Sequence, residues 1–338
     1  MIKSTIAAVV GATICVLALV GSFPALAQDK AQGKRIVFAM PGIPPIFTVT
    51  ITYVAEKEGF FKKHGANVEI RPFDTGTGAA RAVVSGDIDM AWAPTPPVIN
   101  QISNADVPLV AIFGMPKADW VLATTDNDKT CKDLVGQDVG VDSVGGARSV
   151  ALRSMLAVCR NVRIEDIKQV SLGSNVSPAM IAGGLRYGVL HLDDVAAIEA
   201  QGKKLSTLLA MKDTNPNSHY VMLVVRKDNL AAKRDGIVRT VAGLIEAARF
   251  MQNPKNADAV AEAAMVTGHN KEVAKAALKQ FIAIDFWPVK DNGLPRDELE
   301  SVGKLMKKIG AIKSDKDPVS YERLVDASIW KDANAMVK

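Results

Sequence analysis

The stretch Asp142-Ser143-Val144-Gly145-Gly146-Ala147-Arg148-Ser149 sets two adjacent glycines, two hydroxyls and one guanidinium between an apolar run (Val139, Val141) and a segment of helical apolar spacing (Val150, Leu152, Met155, Leu156). Strand, glycine turn and helix start together form a potential anion cradle, because the first amides of a helix have no partner inside it. Arg148 adds a planar fork that can meet a carboxylate or sulfonate through two hydrogen bonds. A plain turn at Gly145 and Gly146, capping by Ser143 and Ser149, and a solvent-facing Arg148 are the plainer alternatives. Two cofactor loops are excluded. A dinucleotide site needs Gly-x-Gly-x-x-Gly, and a Walker loop needs a lysine after its glycine; neither pattern is present here.

Other loops at strand ends carry similar chemistry. Pro45 can form a rigid wall and Phe47 can stack on a ligand or cap the core. Thr75, Gly76 and Thr77 offer hydroxyls and amides at a helix start, and Ala93 and Thr95 end a strand and begin a helix. His191 follows another strand, with Asp193 and Asp194 in the first turn of the next helix. These two carboxylates complement the helix dipole and argue against a bare dianion nearby. Trp120, Tyr187 and Trp287 are candidate cleft aromatics. The expected ligand-binding set is therefore Pro45, Phe47, Thr75, Gly76, Thr77, Ala93, Thr95, Ser143, Gly145, Gly146, Arg148, His191 and Asp193. The four histidines (64, 191, 219, 269) show no ligand spacing, and no catalytic triad or metal cluster stands out. No metal, no cofactor and no catalytic residue is expected.

The elements that would position these residues alternate. RIVFAM (35–40), VEIRPF (68–73), IDMAWA (88–93) and PLVAIFG (108–114) read as strands, with helices between them. The grammar returns with QDVGVDS, IKQVSL (167–172), YGVLHL (187–192) and HYVMLVVRKD (219–228). SGDIDMAWAPT and GGLRYGVLHLDD align with Gly86 on Gly184, an architectural echo that suggests two similar α/β lobes. Ligands of open α/β sheets sit beyond the strand carboxyl ends, so two facing lobes make a cleft.

The chain has 338 residues and a formal net charge of +5, too small and too dispersed to argue for nucleic acid. Residues 1–27 read as a secretory signal peptide: Lys3, an apolar core from Ile6 to Val20, and Ala25-Leu26-Ala27 as cleavage site. The rival is an uncleaved anchor, for which the apolar core is short. Export makes Cys131 and Cys159 a candidate disulfide, with two buried thiols as the alternative.

Four motifs resemble one family. YVAEKEGFFKKHGANVEI (53–70), AVVSGDIDMAWAP, CKDLVGQDVGV and SYERLVDASIW (320–330) are similar, in that order, to elements of periplasmic substrate-binding proteins of ABC importers. The branch is the nitrate, taurine and alkanesulfonate group, with the thiamine-precursor binders. The chain departs from the pattern at GGLRYGV, where Arg186-Tyr187 stand in place of an acidic residue and its neighbour. The resemblance implies a type II-like periplasmic binding protein fold, α/β, with lobe one at 34–118 and 224–338, lobe two at 119–223, and two hinge crossings near Asp119–Ala123 and His219–Leu223. It implies a periplasmic, monomeric receptor that captures a small organic solute and delivers it to an ABC permease and ATPase. The expected solute is an anion such as a sulfonate or carboxylate. A neutral, aromatic or pyrimidine-type solute, or a sensory role, is the alternative. Related fungal pyrimidine-synthesising enzymes carry a cysteine-rich motif that this chain lacks.

Overall fold

Ten short strands form two five-stranded sheets in the computed structural model, which describes residues 33–127 and 129–337. The signal-peptide reading falls on residues outside that range. In the first sheet β1 (Arg35–Pro41), β2 (Asn67–Phe73) and β3 (Met90–Pro94) run parallel, and β10 (Val221–Arg226) lies antiparallel between β3 and β4 (Leu109–Met115), in the order β2-β1-β3-β10-β4. The second sheet repeats the plan. β6 (Asp138–Val141), β7 (Lys168–Ser171) and β8 (Tyr187–Leu190) are parallel, and β5 (Val121–Thr124) lies antiparallel between β8 and β9 (Ser206–Ala210), giving β7-β6-β8-β5-β9.

The echo between residues around Gly86 and Gly184 has a structural counterpart. β3 and β8 hold the same place in their sheets, pairing Met90 with Phe38 and Tyr187 with Val139. Two strands, β5 and β9, are absent from the periodicity reading. They are four and five residues long and owe their conformation to pairing with each other and with β8, a tertiary cause that a local pattern does not carry.

The chain changes sheet twice, between Met115 and Val121 and between Ala210 and Val221. Its C-terminal helices return to the first sheet. The helix Arg234–Met251 buries Ile237, Val241, Leu244, Ile245 and Ala248, the one-sided apolar stripe of a core-facing helix. It packs on the helices Thr50–Lys57 and Ser328–Met336. Phe61 lies so close to Gly243 that an added Cβ would sit 2.6 Å from the ring, so glycine is required there. The helix Lys271–Ala283 packs on Leu192–Ala200 and joins the two halves. No described helix is long and apolar enough to cross a membrane.

Cys131 and Cys159 are joined by a disulfide across 28 residues, with Cα atoms 5.9 Å apart. The bond ties the entry to β6 to the end of the helix Ala147–Leu156. Replacing both cysteines with alanine should lower unfolding free energy by ~2–4 kcal/mol through the freed loop entropy. Urea titration of the oxidised and double-alanine proteins measures the difference, and equal midpoints would refute the assignment of this bond as a stabilising tie.

Candidate functional site

The cleft is built from the carboxyl ends of the six parallel strands. Pro41, Asp74 and Pro94, at or just beyond β1, β2 and β3, face Asp142, Gly173 and His191, at or just beyond β6, β7 and β8, around an inner cavity of about 40 Å³. An outer cavity of about 270 Å³ shares Ile46, Arg148, Ser174 and His191 with it, and is also lined by Asp193 and His269. This volume lies just under the common range for small-molecule pockets, roughly 300–1,000 Å³.

The antiparallel strands complete the site from the other direction. A strand that runs against its neighbours brings its amino end to the edge where theirs have carboxyl ends. Asp119-Trp120 precede β5, and His219-Tyr220 precede β10, so each crossing delivers an aromatic to the inner cavity, with a buried polar residue beside it. Asp-Trp-Val at one crossing and His-Tyr-Val at the other is the sequence signal that would have located them.

At the floor, His191 Nδ1 lies 2.8 Å from Asp119 Oδ2, and Tyr220 Oη lies 3.3 Å from His191 Nε2. Burial, reinforced by the Asp119 charge, pushes the Tyr220 phenol well above its usual value, so it stays a neutral donor. Nδ1–H then donates to Asp119, and Nε2 accepts from Tyr220. The Trp120 ring lies against His191, centroids 3.7 Å apart, and meets Tyr220 edge-on at 4.9 Å. His219 works differently. Its Nε2–H donates to Gly293 O at 2.7 Å and its Nδ1 accepts from Thr95 Oγ1 at 2.7 Å. Burial, with Lys117 adding to it, lowers its pKa to about 4, which keeps it neutral.

The turn at 142–149 is not the open cradle that its sequence suggests. The carboxylate of Asp142 accepts from the amides of Ala147 (3.0 Å) and Arg148 (3.1 Å), so the protein's own anion occupies the helix start. Gly146 permits this: an added Cβ would lie 2.6 Å from that carboxylate and 2.4 Å from Ser143 Oγ. Arg148 is 3 % exposed; it donates to Val189 O at 2.8 Å and to Asp194 Oδ2 at 3.1 Å, and lies over Trp120. Asp194 also accepts from the His191 amide. Both anion-attracting devices are thus already matched.

The other expected residues divide. Pro45 and Asp193 line the outer cavity, Thr75 and Gly76 the inner one, and Arg148 and His191 both. Thr75 also caps its helix by accepting from the Gly78 amide. Thr95 is fully buried against His219, and Ala93 lies in the core. Thr77, Ser143, Gly145 and Gly146 line neither cavity. Phe47 is core, stacked on Phe281 at 5.2 Å and tilted against Trp287. Trp120 reaches the cleft, whereas Tyr187 and Trp287 are buried and line neither cavity. Sequence spacing offers no metal set, yet the fold brings ligand atoms of Asp119, His191 and Asp193 within 4.8 Å of one another.

Residues 46–257 match the model of the NMT1/THI5-like family. The chain belongs to that family. Among curated proteins it is similar to a putative binding protein of Brucella abortus (strain 2308), 22 % identical over 276 residues, covering 80 % of this chain and 85 % of the relative. Among solved structures it is similar to the alkanesulfonate-binding protein SsuA of Xanthomonas axonopodis pv. citri (TM-score 0.68, 14 % identity, 88 % of this chain and 98 % of that one). It is also similar to the periplasmic nitrate-binding protein NrtA of Synechocystis PCC 6803 (TM-score 0.71, 12 % identity, 90 % and 89 %). This NMT1/THI5-like chain therefore has the fold of periplasmic solute-binding proteins of import systems.

Two outcomes follow from the geometry. Arg148→Ala leaves Asp194 buried without its cation, and should cost ~3–5 kcal/mol of stability; removing Asp194 as well should recover part of that loss, as denaturant titration would show. His269 Nε2 lies 3.0 Å from Asp193 Oδ2, joining the C-terminal helices to the second half. Burial lowers the His269 pKa, but the Asp193 carboxylate outweighs it, with Asp194 adding to the effect, and the net direction is upward from 6.5. A raised folded pKa means that this stabilisation is complete below about pH 6.5 and disappears as pH rises through the folded value. The stability gap between the protein and His269→Gln should therefore be wide at acid pH and narrow at alkaline pH; a gap that widens with pH would contradict the pairing.

Proposed function

We propose that this chain is the solute receptor of an ABC importer and that its solute is neutral or cationic, rich in N–H donors, rather than a free anion. The observation that carries the charge assignment is the state of the floor. Arg148 is matched by Asp194 and the helix amides by Asp142, while Asp119 Oδ1 and Asp193 Oδ1 are buried without a partner. Buried acceptors of this kind are costly until a donor meets them. A planar amine or aminopyrimidine fits such a floor, with Trp120 and Tyr220 as aromatic walls.

On this reading residues 1–27 export the chain, cleavage follows Ala27, and the monomer works in the periplasm with a permease and ATPase as partners. The crossings near Asp119–Ala123 and His219–Leu223 act as hinges. The solute touches both halves and favours the closed arrangement by its extra affinity for it, which is the only free energy available to shift that equilibrium. No chemical step is needed. The alkanesulfonate and nitrate binders support the receptor role by their fold, and this floor separates the chain from their solutes.

Thermal unfolding of protein stripped by unfolding and refolding tests the assignment. A solute at 100 times its dissociation constant should stabilise by ~2.7 kcal/mol. Amines and aminopyrimidines are expected to raise the midpoint, with nitrate, taurine and alkanesulfonates without effect. Stabilisation by the anions alone would overturn the charge assignment.

A further inference from the structure

Among the described residues, a single ion pair joins the half that carries the first sheet to the half that carries the second. His269, in the turn that leads into the helix Lys271–Ala283, meets Asp193, in the first turn of the helix Leu192–Ala200, at 3.0 Å; every other pair closes within one half. The first half holds His269 firmly. Asn270 caps its helix by accepting from the Val273 amide at 2.9 Å, and Gly268 packs against Pro44. Both members of the pair line the outer cavity and neither lines the inner one, where the crossing residues Trp120 and Tyr220 lie. The pair therefore sits away from the crossings, where rotation of the halves moves side chains furthest. The other side-chain bonds between the halves are different in kind. Ser174 Oγ donates to Ile43 O at 3.2 Å without charge, and His219 and Tyr220 act beside a crossing.

We infer that His269 and Asp193 form a proton-set latch on the cleft: with His269 protonated the halves are held closed over the solute, and its deprotonation loosens them. The inference rests on the receptor reading and names the regulation of that site. The groups that face His269 around the outer cavity are Asp193 and Asp194 from the helix Leu192–Ala200, His191 from the end of β8, and Arg148 from the helix Ala147–Leu156. Phe47 adds an uncharged ring at 6.3 Å, and its own helix begins with Lys271 and Glu272. Arg148 is bound to Asp194 and His191 to Asp119. Burial alone would lower the His269 pKa, but Asp193 and Asp194 outweigh it and hold the value above 6.5. In an open arrangement the ring faces water and titrates near 6.5. The closed form thus binds the proton more tightly. Its advantage is complete below about pH 6.5 and fades as pH rises through the closed-form value. A neutral ring can still donate Nε2–H to Asp193, so deprotonation shifts the populations of the two arrangements without breaking the contact.

Small-angle X-ray scattering of the solute-stripped protein between about pH 5.5 and about pH 8.5 tests the latch without a ligand. The ratio of closed to open molecules should fall about three- to tenfold from the acid to the alkaline end, read as a growing radius of gyration. His269→Gln keeps a donor and carries no charge, so it should show the alkaline radius of the parent at both ends. A parent radius that does not move with pH would overturn the latch, as would a response that survives in His269→Gln. Should that variant fail to fold, Asp193→Asn removes the charge from the other side and must flatten the response likewise. A flat response in a protein that an amine still stabilises would remove the latch and keep the receptor reading. A response that depends on His269, in a protein that no solute stabilises, would keep the latch and remove the receptor.

Discussion

Arg148 spends its guanidinium on Asp194 and on the carbonyl of Val189 in a place nearly closed to water, and the character of the cleft follows from that pairing. A buried arginine with a free face would make the floor a receptor for anions. With Asp194 in front of it, the same arginine becomes a structural brace. It ties the start of the helix Ala147–Leu156 to the end of β8 and to the first turn of Leu192–Ala200. It also supports Trp120 from behind. Asp142 does the equivalent for the helix amides. The carboxylates left over, Asp119 and Asp193, each keep one buried oxygen without a partner.

The topology explains why these groups meet. Parallel strands of both sheets end at the cleft, and the two antiparallel strands begin there, so the crossing residues lie at the floor rather than at the back. Asp119 and Trp120 are consequently both part of the floor and next to a crossing. Asp119 and Trp120 share the second half with Asp193, and His269 meets Asp193 from the C-terminal helices. His219 adds stiffness, since its neutral ring links Thr95 to Gly293 with no charge to solvate.

Much of the framework was legible in the sequence because it is written locally. The apolar runs of β1, β3, β4 and β10 and the glycine stops after helices identify themselves within a few residues. β5 and β9 do not, because VLAT and STLLA become strands only through partners far along the chain. The site shows the same division. Thr75 and Gly76 could be located because a helix start follows a strand. Arg148 was found as a residue but not as a role, since its partner Asp194 lies 46 positions away. Phe47 reads equally as a ligand stack or a core cap, and the packing of Phe281 and Trp287 decides for the core. Asp119 is marked only by the echo of Asp-Trp-Val with His-Tyr-Val at the other crossing, a hundred positions away.

Family likeness and site chemistry therefore separate in this protein. The strand order, the crossings and the cleft belong to a scaffold shared with binders of sulfonates and nitrate, and at 12–14 % identity that likeness speaks for the fold alone. The solute is selected by groups that the scaffold does not dictate. An arginine bound to an aspartate needs no change of strand or crossing, only a partner in front of it. The same reasoning explains why the strongest sequence motif was the least informative about the ligand. Asp142-Ser143-Val144-Gly145-Gly146 encodes a cradle, and its first residue fills it.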